Sequence, residues 1–165
     1  MDELYKQYMQ DVHRYLLYLT GDHYAAEDLL QETFYRAYLY LESYDGEKVK
    51  PWLLRVAHNA FVDYKRKERR SKPFASIFFR NIRAPAKHSP ESVLLRIEEL
   101  GELGLAVASL PENQRQAVLL YDYQGLSYQE AADIMDIGLA YFKVLLFRAR
   151  QQLRKLRERG EDDER

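Results

Sequence analysis

The spacing of apolar residues restricts the fold of this 165-residue chain more than any other feature. Apolar side chains recur, almost from end to end, at the intervals that place them on one face of a helix. Only seven glycines and five prolines interrupt this pattern. The sequence therefore predicts an all-α protein, long enough for one domain or two small ones.

Turn and capping signals divide the chain into two helical units. Three prolines and the lack of a steady period over residues 71–90 predict a flexible linker. Asp22 can cap the second helix, and Ser127 with Glu130 forms a capping box. The predicted helices span about residues 2–19, 23–43, 51–70, 128–135 and 139–157, and two more begin at Pro90 and Pro111. We predict two small helical domains, 1–70 and 91–165, joined by the linker.

The predicted linker is too apolar to be a passive spacer. It contains Phe74, Ile77, Phe78 and Phe79 within six residues. We expect a surface of this chain or of a partner to cover this segment.

Charge is segregated into blocks, which the total of −1 conceals. Residues 48–90 carry a net charge of +10 and residues 137–157 of +6, whereas residues 1–47 and 91–136 each carry −7. Two separate cationic segments are typical of a chain that contacts a phosphate backbone at two places, and the acidic segments favour a basic protein partner. The alternative is that they are solvated helix faces of alternating sign.

Composition disfavours several classes of protein. The chain has no cysteine, and its four histidines are scattered without ligand spacing, so neither disulfides nor a metal site is expected. No nucleophile is arranged beside a base and no glycine-rich loop could cradle a phosphate, so we predict a protein that is not an enzyme and needs no cofactor. The lack of a long apolar run and of a basic–apolar leader predicts a soluble, cytoplasmic protein.

The helix predicted over residues 51–70 has one basic, polar side. That side carries Arg55, Asn59, Asp63, Arg66 and Arg70, and Trp52 projects with it. Such a face suits single-stranded nucleic acid, because cations track the phosphates while an indole stacks on or wedges against a base. In the alternative, Trp52 folds back over the rim of the domain.

Residues 127–150 have the proportions of a helix-turn-helix: a short capped helix, a short turn and a basic helix. Lys143, Val144 and Phe147 face away from the stripe that we predict to be buried. In a major groove, Val144 and Phe147 can meet thymine methyl groups while Lys143 and Arg148 reach bases or phosphates. The alternative is a helical module that binds only protein.

Motifs in a fixed order resemble one family across nearly the whole chain. Residues 26–34 (AEDLLQETF) resemble the core-polymerase-binding helix of bacterial sigma factors of the sigma-70 class. Residues 52–59 (WLLRVAHN) and 63–66 (DYKR) resemble their helix for strand opening and −10 recognition. Leu110-Pro111 with Arg115, residues 125–132 (GLSYQEAA) and residues 147–153 (FRARQQL) resemble their −35-recognising domain. Two domains with no third between them point to the extracytoplasmic-function branch.

The resemblance implies a specificity subunit that directs promoter-specific transcription initiation by core RNA polymerase. The residues it implies for docking on the coiled coil of the largest subunit are Asp28, Gln31, Glu32 and Tyr35. Further implied partners are the polymerase flap and a membrane-bound anti-sigma factor. The segment from Phe74 to Phe79 would thread a channel in the core enzyme.

The resemblance also implies two sites on promoter DNA, single-stranded at −10 and duplex at −35. The loop 43–50 would accept a base flipped from the non-template strand, and Asn59 would help to recognise it. The residues implied for −10 binding and melting are Lys48, Trp52, Arg55, Asn59, Asp63, Lys65, Arg66 and Arg70. Those implied for the −35 element are Lys143, Val144, Phe147 and Arg148.

The turn of the helix-turn-helix departs from the family pattern. Asp136 and Gly138 stand where the family usually has glycine and serine, and residues 139–141 are unusually apolar, which affects the −35 preference. Two alternatives stay open: a dimeric helix-turn-helix regulator that acts without polymerase, and an adaptor that binds only proteins, which leaves both basic blocks unexplained.

Overall fold

Seven α-helices make up the part of the protein that the structure describes. A computed structural model describes residues 1–46, 48–78 and 89–163, with the backbone alone over 71–78. The helices are α1 (Asp2–Thr20), α2 (His23–Leu39), α3 (Val49–Phe78), α4 (Pro90–Ala108), α5 (Glu112–Val118), α6 (Tyr128–Met135) and α7 (Leu139–Asp163). A 3₁₀ turn, Leu41–Ser43, follows α2, and a π-helical turn, Leu119–Tyr123, continues α5. No strand occurs within the described ranges, and the all-α prediction is confirmed.

Capping side chains begin two helices where the sequence predicts it. The Asp22 carboxylate accepts hydrogen bonds from the amides of Tyr24 and Ala25, the second and third residues of α2. Ser127 Oγ accepts from the Glu130 amide at 3.0 Å, and the Glu130 carboxylate accepts from the Ser127 amide at 2.9 Å. Each bond satisfies an amide that has no partner within its own helix.

Two helix ends differ from the prediction. Helix α2 ends at Leu39, before the predicted end at residue 43, and Leu41 beyond it is exposed. The backbone of α3 continues to Phe78, so the first part of the predicted linker is helical. Residues 65–70 are all Lys, Arg or Glu, which are strong helix formers, so no helix-breaking residue ends α3 at the predicted boundary. The side chains of the apolar segment 74–79 lie outside the described residues.

Helices α1, α2 and α3 form the first unit. Each contributes an apolar stripe with helical spacing to a shared core. Its fully buried members include Tyr15, Leu16, Leu19, Ala26, Leu53, Leu54, Ala57 and Phe61.

Helices α5, α6 and α7 form the second unit with the C-terminal half of α4. The small Ala131 and Ala132 are fully buried where α6 meets its neighbours. Gly101 divides α4 with φ 68° and ψ −179°, a conformation that glycine alone adopts readily. The segment before this kink packs on the first unit, where Glu99 Oε1 lies 2.7 Å from Nδ1 of His23, the first residue of α2. Residues 91–99, which we predicted to belong to the second domain, therefore contact the first.

The two units also pack directly on each other. The Arg115 guanidinium of α5 donates hydrogen bonds to the carbonyls of Leu19 and Leu110, and Gln124 Nε2 donates to the Asp11 carbonyl at 3.0 Å. A Cβ atom at Gly104 would lie 3.0 Å from the Tyr18 ring. The buried residues of both units consequently form one continuous cluster.

Candidate polymerase and nucleic-acid interfaces

One face of α2 is exposed and both acidic and aromatic. Asp28, Gln31 and Tyr35 lie on it at helical spacing, and Tyr35 is 60% exposed. The stripe continues to Tyr24 and Tyr38, which we did not predict, although they have the same spacing from Asp28 and Tyr35. We call the face formed by Tyr24, Asp28, Gln31, Tyr35 and Tyr38 the α2 stripe.

Glu32, which we predicted on the same docking face, pairs within the protein. Arg36 Nε lies 2.9 Å from Glu32 Oε1, and Arg36 Nη1 lies 2.9 Å from Asp63 Oδ2. Hydrogen bonding to Glu32 is the main reason that the pKa of Arg36 is raised. Glu32 and Asp63, predicted for different partners, are thus joined by one cation that ties α2 to α3.

The polar side of α3 brings most of the predicted −10 residues together. Trp52, Arg55, Asn59, Asp63, Arg66 and Arg70 recur at helical spacing, and Asn59, Arg66 and Arg70 are exposed. Lys48 is exposed just before the helix begins. Trp52 is half-buried against the core, and its ring centroid lies 5.0 Å from that of Tyr44. Its position matches the alternative in which the indole folds over the domain rim, with part of the ring still accessible.

Lys65 is not part of this group. It lies on another side of α3, with Nζ 6.0 Å from the centroid of the Phe61 ring and 3.8 Å from Glu68. There it lines a cleft of about 310 Å³ between α3, α5 and α6. Lys65 follows Asn59 by six positions. Because each residue of an α-helix is rotated by about 100° from the one before, Lys65 points away from the polar side.

His58, which precedes Lys65 by two helical turns on α3, lines the same cleft. Its side chain is buried, and desolvation lowers its pKa to about 4. The imidazole is therefore neutral near pH 7. Its Nδ1 atom has no hydrogen-bond partner among the described residues.

The recognition helix α7 exposes all four residues predicted for the −35 element. Lys143, Val144, Phe147 and Arg148 are exposed, and Phe147 is 63% exposed. The stripe behind them is buried as predicted at Phe142, Leu146 and Ala149, and Leu145 joins it, while Leu153 and Leu156 are half-buried. Leu139 and Tyr141 are also exposed at the N-terminus of α7, where recognition helices contact base edges. We had noted their apolar character without assigning them to the interface.

The unusual turn before α7 keeps the geometry that a glycine would supply. Asp136 follows the last residue of α6 with φ 56° and ψ 47°, the left-handed conformation. Aspartate is among the few residues other than glycine that adopt this conformation with some frequency. The helix-turn-helix is therefore intact despite the departure at this position.

The described ranges contain neither a membrane-spanning helix nor a cluster of metal ligands. No helix there is long and apolar enough to span a bilayer. No group of His, Asp and Glu within those ranges is clustered so that it could hold a metal ion.

Comparison with known proteins identifies the two units. Residues 4–71 match the family model of Sigma-70 region 2, and residues 100–153 match that of Sigma-70, region 4. The fold and its exposed helices are thus those of a two-region sigma-70 protein. The second match begins at Leu100, next to the kink in α4.

Full-length relatives narrow this class to one branch. The chain is 46% identical over 164 residues to the ECF RNA polymerase sigma factor SigM of Bacillus subtilis (strain 168), covering 99% of each protein. It is 34% identical over 154 residues to the ECF RNA polymerase sigma factor SigE of Mycolicibacterium smegmatis, covering 93% of this chain and 60% of that protein. The chain belongs to the extracytoplasmic-function sigma factors, and it is an alternative sigma factor that directs transcription initiation. The alternative of a stand-alone regulator is wrong.

A solved structure has the same fold. The sigma factor RpoE from Bartonella quintana, crystallised with the anti-sigma factor NepR, superposes with a TM-score of 0.76 at 24% identity, over 95% of this chain and 96% of that one. This similarity independently supports the arrangement of the helices.

Proposed function

We propose that the protein acts by binding alone, through three helix faces with separate partners. The α2 stripe docks on core RNA polymerase, the polar side of α3 opens and recognises the −10 element, and the outer face of α7 recognises the −35 duplex. The observation that carries this proposal is that α3 and α7 both expose basic faces while the exposed face of α2 is acidic and aromatic.

The α2 stripe has the composition of a protein interface. Exposed tyrosines supply contact area with few rotatable bonds, and Asp28 supplies charge for a basic partner such as the coiled coil of the largest subunit. Glu32 contributes less to this contact because its carboxylate already pairs with Arg36.

The start of α3 suits an unpaired base. The rings of Tyr44 and Trp52 lie with their centroids 5.0 Å apart, and the exposed Lys48 directly precedes α3. Aromatic rings stack on bases of any identity, and the exposed Asn59 amide can both donate to and accept from a base edge. Arg66 and Arg70 extend the polar side toward the phosphates of the melted strand.

The first turns of α7 suit a major groove. Val144 and Phe147 are apolar yet exposed, which is unfavourable in water and favourable against thymine methyl groups. Lys143 and Arg148 flank them and reach for phosphates or guanine. Region 4 also offers a surface to the polymerase flap.

The two helical units, which pack on each other in this structure, must separate for the −10 and −35 elements to be bound at once. Elements centred at −10 and −35 lie about 85 Å apart along B-form DNA. A compact chain of this length has a radius of gyration of about 15 Å. We propose that docking on polymerase separates the two units by replacing the contacts of Arg115 and Gln124 with α1.

The relatives suggest where the protein acts and how it is restrained. RpoE of Bartonella quintana was solved with an anti-sigma factor, and we propose that a membrane-bound anti-sigma factor likewise holds this protein inactive. We further propose that it acts in the cytoplasm on the nucleoid and catalyses no reaction itself.

Reconstitution tests the proposal. The purified chain should bind core RNA polymerase in a pull-down and direct run-off transcription from a subset of a genomic promoter library. Core enzyme alone serves as the control. Binding to duplex DNA without binding to core enzyme would contradict the proposal.

A further inference from the structure

Two tyrosines and two cations form a layered stack beside the recognition helix. The rings of Tyr121 and Tyr128 are parallel within 4°, with centroids 4.4 Å apart. Lys143 Nζ lies 5.4 Å from the centroid of Tyr128, and Arg150 Cζ lies 5.3 Å from that of Tyr121. The order of the layers is therefore Lys143, Tyr128, Tyr121 and Arg150.

Local backbone features place the tyrosines in this stack. The π-helical turn is closed by a hydrogen bond of 2.9 Å from the Gln124 amide to the Leu119 carbonyl, and its wider winding places Tyr121 toward α7. The capping box begins α6 at Tyr128, so that ring is held at a fixed helix start. The neighbouring Asp122 carboxylate accepts a hydrogen bond of 3.0 Å from Arg150 Nε and a second bond from its terminal nitrogen.

The stack is not explained by burial of apolar area. Tyr128 is exposed and Tyr121 is only half-buried. A hydrogen bond with Tyr128 is the main reason that the pKa of Tyr121 is raised. Parallel rings with centroids 4.4 Å apart fit an offset stack, one of the arrangements that aromatic pairs prefer. A cation over each ring is attracted to its negative face, so each cation and the ring beneath it hold each other in place.

We infer that Tyr121 and Tyr128 are positioning residues for −35 recognition, which hold the Lys143 ammonium group at the surface where the duplex docks. This inference rests on the proposed role of Lys143. A free lysine loses much rotamer freedom when it binds a phosphate or a base, and a lysine already held over a ring loses less. The ammonium group keeps its outer side open, because it contacts the ring on one side only.

Arg150 has a different role at the other end of the stack. Its guanidinium is held by both oxygens of Asp122 and covers the Tyr121 ring, so its charge is balanced within the protein. It anchors the inner tyrosine, whereas Lys143 at the outer end is exposed and has no carboxylate partner among the described residues. The asymmetry explains why only one of these two cations is presented to DNA.

A double-mutant cycle on the holoenzyme tests the inference. The full chain is assembled with core polymerase, and affinity is measured for a promoter duplex recovered by run-off transcription. Tyr128→Leu should weaken binding about three- to tenfold, whereas Tyr128→Phe, which keeps the ring, should stay within about twofold of wild type. In a Lys143→Gln background, Tyr128→Leu should cause almost no further loss.

The possible outcomes distinguish a failure of this inference from a failure of the proposed function. Equal losses from Tyr128→Leu with and without Lys143 would show a merely structural role and overturn the inference, as would no loss in either background. A neutral Lys143→Gln substitution would overturn both the inference and the proposed role of Lys143. Failure of the wild-type chain to direct run-off transcription would refute the proposed function itself. Melting temperatures of the variants establish that each is folded.

Discussion

His58 makes the stability of this protein depend on acid in a calculable way. The imidazole is 7% exposed at the meeting of α3 with α5 and α6, and burial lowers its pKa from 6.5 to about 4. The charged groups that line the same cleft are Glu112 on α5 and Lys65, Arg66 and Arg69 on α3. Below pH 6.5 the unfolded chain binds a proton at this residue, and the folded chain does not until about pH 4. Stability is therefore retained above pH 6.5 and lost as the pH falls toward 4.

The size of the loss follows from the two pKa values. A difference between 6.5 and about 4 corresponds to about 3 kcal/mol once the pH is below both values. Between pH 7 and pH 5 the free energy of unfolding falls by about 2 kcal/mol through this residue. Asp and Glu side chains with ordinary pKa values remain mostly ionised over that interval, so they contribute little to this loss.

Urea unfolding at pH 7 and pH 5 measures this share. His58→Gln replaces the imidazole with a neutral side chain that cannot gain a proton. We expect wild type to lose about 2 kcal/mol more than this variant between the two pH values, whatever the variant's stability at pH 7. The other histidines are present in both proteins, so their contributions cancel in this comparison. If wild type and His58→Gln lose equal stability, the imidazole is hydrated and the units do not close over it as described.

Asp28→Lys should weaken binding to core polymerase without lowering the melting temperature, because the side chain is exposed; Glu32 is less suitable since it has an internal ion pair. Full affinity at physiological salt would place the docking face elsewhere. Trp52→Ala should impair transcription from a duplex promoter more than from one already mismatched at −10, and equal losses would instead identify a role in folding. Phe147→Ala should reduce discrimination between cognate and altered −35 elements by about 1–3 kcal/mol in holoenzyme binding, and unchanged discrimination would mean that this face contacts protein. Arg115→Met should increase the radius of gyration in small-angle X-ray scattering, since it removes two hydrogen bonds near the unit boundary, and an unchanged radius would show that packing alone keeps the units closed.

Features that depend on a few consecutive residues were predicted correctly. The caps at Asp22 and Ser127 form because side chain and amide lie within three residues of each other. The exposed face of α7 follows from helical period, since Phe142, Leu146 and Ala149 must point inward together and Phe147 must then point outward. The residues assigned to polymerase and DNA remain predictions, although their exposure is largely as expected.

Features that depend on packing between distant segments were missed or misplaced. The resemblance assigned Lys65 to the −10 residues without showing that its side chain lines a cleft between α3 and α5. Trp52 is half-buried because Tyr44 and the core lie beside it, which the helical projection does not include. The pairing of Tyr121 with Tyr128 was not predicted, because it depends on the π-helical turn that contains Tyr121 and on how the separate helix α6 packs beside that turn.

The sequence by itself determined an all-α chain with two helical units, the capped starts of α2 and α6, and a family resemblance that the comparisons confirm. These features depend on local hydrogen bonds and on the helical period, both of which are set by residues close together in the chain. Only the tertiary structure decided that the two units close on each other, that His58 is desolvated and that Lys143 is held over a ring. Such contacts depend on how whole helices approach one another, and the free energy of that approach comes from surfaces that are far apart in the chain.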